Sequence, residues 1–498
     1  MKLVHTPLLL LCSLLFLVSC KKDDLERPTY ENDPTENLVK DSVFYWTKYF
    51  SLWESAMPPK SIDDLKKQTV LREYTKYYPT GEDVLASLMA LTPIEPKSKR
   101  PLDRFSFIDR AGIVRNEIQN GISESFGMTL FFLNRKNESN ADLYVKMVDN
   151  NSPAKAAGIK RGTRIKSING VTALDYNTQV KQDFKFINDA LKAHTITLVV
   201  ANEGKADATV TLTNSSYVNN SLLSTKIFEQ GNKKIGYLAF SSFLDIYNRF
   251  GGFTSMYRDF ENIFNDFQSQ GIDELIVDLR YNGGGSTNTA EYLANRIAPT
   301  SANGQLMYTS KVNKYLEELG YNNPGQLFAP VNFQKIGSIN LSKVFFLVTK
   351  YSASASELLI NVLEPYMDVQ VVGSLAANGA KENTYGKPVG FFGIYPVDDN
   401  LNVELFPTSF QMFNARGYGD YFSGLVPDTH VYEDFFKDFG DQEEGMIAEA
   451  LHYIANNSYQ KSTSNARSIT SYDPKKAVDF KSFERSSISE KGMFKFAK

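Results

Sequence analysis

Apolar residues recur along this chain in three successive patterns, and each change of pattern marks a boundary. Over residues 38–120 they fall at helical spacing: Val43, Trp46, Phe50 and Trp53, then Leu65, Val70, Leu71 and Tyr74. Steps of three and four residues turn one helix face toward a core. A small N-terminal helical domain is therefore expected, with its tryptophans packed inside it. Residues 121–212 are strand-rich, opening at Phe126-Gly127-Met128-Thr129-Leu130. Further on come a short helix capped near Ser152, a glycine turn, a strand, and the hairpin turn Asn169-Gly170. From 213 to 457 the pattern changes again. Apolar runs of strand length at 234–240, 275–279, 344–348 and 369–373 alternate with helical stretches at 252–270, around 290–293 and from 358. Alternation of this kind predicts a layered α/β core. Residues 458–498 read as a polar C-terminal tail.

The N-terminus carries an address. Lys2 precedes an apolar stretch from 8 to 18, too short to span a bilayer but suited to a secretory signal. It ends in Leu17-Val18-Ser19-Cys20, followed by Lys21-Lys22-Asp23-Asp24. This resembles a bacterial lipobox, which implies a signal peptide over 1–19 and lipidation of Cys20. A polar tether over 20–37 would then hold the folded part outside the cytoplasm, at the periplasmic face or cell surface of an outer membrane. The chain has only two cysteines, Cys12 and Cys20, both in the targeting region. The mature protein is thus expected to lack disulfides, a cysteine nucleophile and cysteine-bound zinc. Of the four histidines, His194, His430 and His452 lie beyond the signal peptide and show no metal-ligand spacing, and no metal or organic cofactor is expected. A formal charge of −3 without a basic stripe gives no reason to expect nucleic acid as a partner.

Candidate chemistry gathers in the α/β part. Tyr351-Ser352-Ala353-Ser354-Ala355-Ser356-Glu357 joins an apolar strand to an apolar helix. Ser354 and Glu357 have the spacing of a capping box. A serine at such a turn also has the geometry of an acyl-transfer nucleophile, because free helix N–H groups favour negative charge beside it. Gly283-Gly284-Gly285 follows a buried strand. It reads either as a tight turn needing positive φ or as an oxyanion-binding loop. A serine nucleophile needs a base, and a lysine serves when burial holds it uncharged. Lys381 and Lys387 both stand downstream.

The segment 151–170 resembles a PDZ domain, with Thr163 where an aspartate is usual. That likeness implies peptide capture by strand addition, with Phe126, Gly127 and Met128 near the bound C-terminal carboxylate. Asp278-Leu279-Arg280-Tyr281-Asn282-Gly283-Gly284-Gly285, the serine stretch 352–357, Thr384-Tyr385-Gly386-Lys387 and Gly424-Leu425-Val426-Pro427-Asp428 occur in one order. Together with the PDZ-like segment this order resembles the C-terminal processing peptidases, serine peptidase family S41. The resemblance implies a ClpP/crotonase-like core with Ser354 as nucleophile and Lys387 as general base. It also implies an oxyanion hole from Gly284 or Gly285 with Ala355. A longer segment before the TYGK element brings Lys381 nearer the usual spacing, so it competes for the role of base. Where some members carry a residue that orients the lysine, this chain has Pro365 beside Glu364, and Phe391. The expected activity is endoproteolysis of protein or peptide substrates, captured through their C-termini. The alternatives are a catalytically inactive S41-like binding or carrier protein, and a PDZ adaptor.

Overall fold

The apolar runs of the α/β part become neighbouring strands of one sheet. The computed structural model describes residues 28–31, 33–134, 140–376, 379–394, 403–460, 482–483 and 492–496. The expected signal peptide, Cys20 and most of the tether and tail lie outside these residues. Six strands run in the order Thr429–Val431, Asp368–Ser374, Lys343–Val348, Glu274–Asp278, Lys233–Phe240 and Leu222–Gln230. All are parallel to their neighbours except Leu222–Gln230 at the edge, which is antiparallel. Parallel strands need both faces covered, and the apolar runs supply two sets of contacts. Val344, Phe346 and Val348 join the core that contains the helices Ser255–Gln270, Thr287–Ile297 and Ala355–Leu363. Phe345 and Leu347 face the other way, toward the helix Gly445–Asn456.

A second six-stranded sheet packs into the first of these cores. Its order is Gly285–Ser286, Met493–Lys495, Val389–Phe392, Thr408–Asn414, Leu306–Lys311 and Val331–Asn332. Here the expectation of a polar tail over 458–498 fails at its end. Met493 and Phe494 are fully buried, because this apolar pair fills a gap between two strand edges that would otherwise lack backbone partners.

The helical domain begins earlier than its expected start at 38. Asp33 caps the helix Pro34–Phe50 by accepting from Thr35 N and Glu36 N, so the last tether residues are helical. Its far boundary is also blurred. Phe105 and Phe107 belong to the main core, and Phe107–Asp109 pairs with Glu404–Phe406. The strand-rich part forms a sheet in the order Ser482–Phe483, Met128–Asn134, Ala141–Val148, Arg164–Ile168, Thr195–Ala201 and Ala208–Thr213. It has its own core, which includes Phe132, Leu143, Ile165, Ile187 and Leu198. Among the described residues no helix is long and apolar enough to cross a membrane.

Candidate active site

Adjacent parallel strands place the serine stretch beside the glycine loop. Glu274–Asp278 and Lys343–Val348 pair directly, and both loops leave from their C-terminal ends, where open α/β sheets place their sites. Cross-bonds then lock the loops together. Ser356 Oγ donates to Asn282 O at 2.9 Å, Ala353 N to the same oxygen at 3.1 Å, and Ser352 Oγ to Leu279 O at 2.8 Å. The flanking serines are thus committed to the scaffold. The middle one is not. Ser354 is fully buried, its Oγ has no hydrogen-bond partner, and its backbone sits at φ 62°, ψ −108°. A non-glycine residue in such a conformation is strained, and a buried hydroxyl without a partner is costly.

Glu357 does more than cap a helix. Its carboxylate accepts from Ser354 N at 2.8 Å, Gly386 N at 2.7 Å and Lys387 N at 2.9 Å, and also from the Thr384 hydroxyl. It therefore ties the start of the serine helix to the TYGK loop. Burial pushes its carboxyl above the usual range, against the opposing effect of those donors.

The two candidate lysines are placed very differently. Lys387 is 1% exposed, with Nζ 4.4 Å from the Phe391 ring centroid and 4.8 Å from that of Phe105. Lys381 is exposed, on a loop where its backbone bridges to Leu375. Glu364 stands at the C-terminal end of the Ala355–Leu363 helix, away from the serine at its start. Phe391 presents a ring to the ammonium, where some relatives are expected to have a polar orienting group.

Gly284 backs onto the serine. A Cβ there would lie 3.0 Å from Ser354 Cβ and 3.1 Å from Ala353 O, and φ is +113°. The Gly284 amide donates to Asn282 Oδ1 at 3.0 Å, and that of Gly285 to Gly492 O at 2.8 Å. Ala355 is the first residue of the serine helix, where N–H groups have no partner within the helix.

Residues 234–389, which include the glycine loop, Ser354 and Lys387, match the family model of peptidase family S41. Over that stretch the chain is similar to the S41 peptidases. A crystal structure of an S41 protease from Bacteroides fragilis NCTC 9343 shares its fold at TM-score 0.61 and 22% identity, covering 86% of this chain and 99% of that one. The photosystem II D1 C-terminal processing protease is more distant, at TM-score 0.43 and 16% identity over 80% and 93% of the two chains. Mature CPAF is similar at TM-score 0.40 and 11% identity over 84% and 96%. No curated protein matches the sequence.

Beneath the glycine loop lies a buried charge network. Arg280 Nη2 contacts Asp278 Oδ2 at 2.6 Å, and its Nη1 contacts Glu433 and Glu444, both at 3.1 Å. Arg161, from the strand-rich segment, reaches Glu433 at 2.5 Å and donates to Lys146 O and Lys437 O. Burial alone would push the Glu433 carboxyl up, but the two guanidiniums hold it below the usual range. The arginine of the glycine-loop motif is thus part of the joint between segments. Phe126, Gly127 and Met128 are buried in that strand-rich segment, and Gly127 N donates to Ser125 Oγ at 2.9 Å. Glu433, Glu444 and the strand 493–495 were not foreseen as neighbours of the site. Only the apolar Met493-Phe494 pair inside a polar tail signalled any of them.

Proposed function

We propose that this chain is a serine endopeptidase in which Ser354 and Lys387 form the catalytic dyad. The observation that carries this reading is the buried Ser354 hydroxyl, left without a partner between two committed serines and beside the glycine loop. In the proposed reaction Ser354 Oγ attacks the substrate carbonyl carbon while its proton passes to uncharged Lys387 Nζ. The new oxyanion takes N–H donors from the glycine loop and Ala355. Collapse breaks the C–N bond, and the lysine returns the proton to the leaving amine. Water then attacks the acyl ester with Lys387 again accepting the proton, which releases the acid and restores both side chains. Burial against Phe105 and Phe391 supports Lys387 over exposed Lys381 as the base. The strand-rich segment serves as a PDZ-like module that captures substrate C-termini. The sequence before residue 28 supports export and anchoring through lipidated Cys20.

Turnover of an unstructured test protein checks the dyad. Ser354→Ala should abolish cleavage, and Lys387→Ala should lower kcat/KM by about 10²–10⁴. Lys381→Ala should change it little. Wild-type cleavage by the Ser354→Ala chain would overturn the mechanism. Absence of turnover in the wild type would instead favour a binding protein built on the same fold.

A further inference from the structure

The chain's own C-terminal strand stands in the cleft that a substrate would enter. Gly492 O accepts from the Gly285 amide at 2.8 Å, so one of the glycine-loop donors is already taken. That oxygen lies 2.9 Å from the point where a Gly284 Cβ would stand, and Ser354 Cβ lies 3.0 Å from the same point. On its other side, a Cβ on Gly492 would meet Lys387 Nζ at 2.8 Å and Phe391 Cε2 at 2.5 Å. Gly492 therefore fits between nucleophile, glycine loop and lysine only because it lacks a side chain, at φ +136°.

The residues that follow are seated on both sides. Met493 pairs with Gly285 and with Gly390, and Phe494 with Ser286 and with Phe391, so the strand lies between two edges. The Phe494 ring packs 5.6 Å from that of Phe391 and 5.5 Å from that of Phe406. Lys495 Nζ donates to the Tyr308 hydroxyl at 3.0 Å, with Glu291 at 3.8 Å. Backbone edges, an aromatic pocket and an anionic end together make a peptide-binding seat. The same tail also touches the strand-rich module. Ser482–Phe483 pairs antiparallel with Met128–Asn134, the strand that follows the loop 126–128. Adding a strand to a sheet edge in this way is a recurring mode of peptide capture.

We propose that residues 492–496 are a built-in pseudosubstrate that closes the peptidase cleft until it is displaced. The proposal rests on the serine-peptidase reading of the site and deepens it. It also describes the substrate: an extended segment with glycine at the carbonyl that meets the glycine loop, an aromatic two residues later and a basic residue after that. The tail blocks the site because an incoming peptide needs the same amide and the same two strand edges.

Two tail variants test this: a chain ended after residue 491, and Gly492→Val. The second keeps Phe494 and decides the matter if the first fails to fold by circular dichroism. A strand docked nine-tenths of the time masks activity about tenfold, so either folded variant should cleave a test protein about tenfold faster than wild type. Binding of a fluorescent Gly-Met-Phe-Lys-Phe peptide is measured in parallel, with every chain carrying Ser354→Ala. The tail variants should bind it about tenfold more tightly than the full-length chain. Tighter binding by the tail variants supports the pseudosubstrate even if no chain cleaves anything, and in that case the serine-peptidase reading alone fails. Equal binding by all chains, or by none, overturns the proposal. Unchanged or reduced turnover in folded tail variants of an active enzyme overturns it too. So does loss of residues 493–498 from the wild type but not from Ser354→Ala, since the tail would then be a substrate.

Discussion

Ser352, Ser354 and Ser356 share one chemistry and differ only in what surrounds them. Two donate to carbonyls of the glycine loop, while the middle hydroxyl is left without a partner in a strained conformation. Such strain persists only where the surroundings over-determine it, and Glu357 is the residue that does so most directly. Each of its oxygens faces N–H donors: Oε2 those of Ser354 and Lys387, Oε1 that of Gly386. In Glu357→Gln one oxygen becomes an NH₂ group, which must then point donor against donor. The variant is expected to lose about 2–4 kcal/mol of stability, the cost of buried hydrogen bonds to a charged group. Its kcat should fall more than its KM rises, because nucleophile and lysine lose their common tether. Urea denaturation and steady-state kinetics check both. Wild-type kcat in a destabilised Glu357→Gln chain would reduce Glu357 to a helix cap.

Strands and helices of the α/β part could be read from the sequence to within a few residues. The run 344–348 became Lys343–Val348, and the helix expected over 252–270 became Ser255–Gln270. Continuous apolar runs fix strands buried on both faces whatever their partners are, so local sequence suffices for them. Loop roles are another matter. Gly283-Gly284-Gly285 reads equally well as a turn, and only folding brings Ser354 against it from a different strand. Gly284→Ala tests that approach. Its Cβ would press on Gly492 O, Ser354 Cβ and Ala353 O, at 2.9, 3.0 and 3.1 Å. Two of these three atoms belong to the serine loop. The expected result is a loss of 10²-fold or more in kcat with the far-ultraviolet dichroism unchanged, since a displacement of about 1 Å can cost that much. Near-normal kcat would show that the loop has room to yield.

Joints between segments set the behaviour of the whole molecule. Arg161 carries the strand-rich module onto Glu433, and Arg280 ties the same carboxylate to the glycine loop, so module and site share one ion network. Another buried carboxylate gives the molecule a pH dependence. Burial raises Asp245 to about 6, against donors from Asn288 and the Tyr247 amide. Its value in the unfolded chain is near 4. A raised folded value favours the protonated form on folding. This contribution is therefore fully present below about pH 4 and is lost as pH rises through about 6, by about 3 kcal/mol. In Asp245→Asn that fall should disappear. Urea denaturation at pH 4, 5, 6 and 7 checks it, and parallel stability curves for the two chains would contradict it.

By itself the sequence determined what depends on neighbouring residues: the buried strands, the capped helices, and the ordered motifs that point to Ser354 and a lysine. It favoured Lys387, beside an apolar run, over Lys381 in a polar loop without excluding the latter, and it took the C-terminal residues for a polar tail. Tertiary structure separates the two lysines by burial and seats the last strand. Packing against Phe105 and Phe391 buries Lys387 and leaves Lys381 in solvent. Two unpaired strand edges, more than 100 residues apart in sequence, draw Met493–Lys495 between them. Burial and edge pairing depend on groups brought together only by folding, and the apolar pair Met493-Phe494 is the one local trace of them.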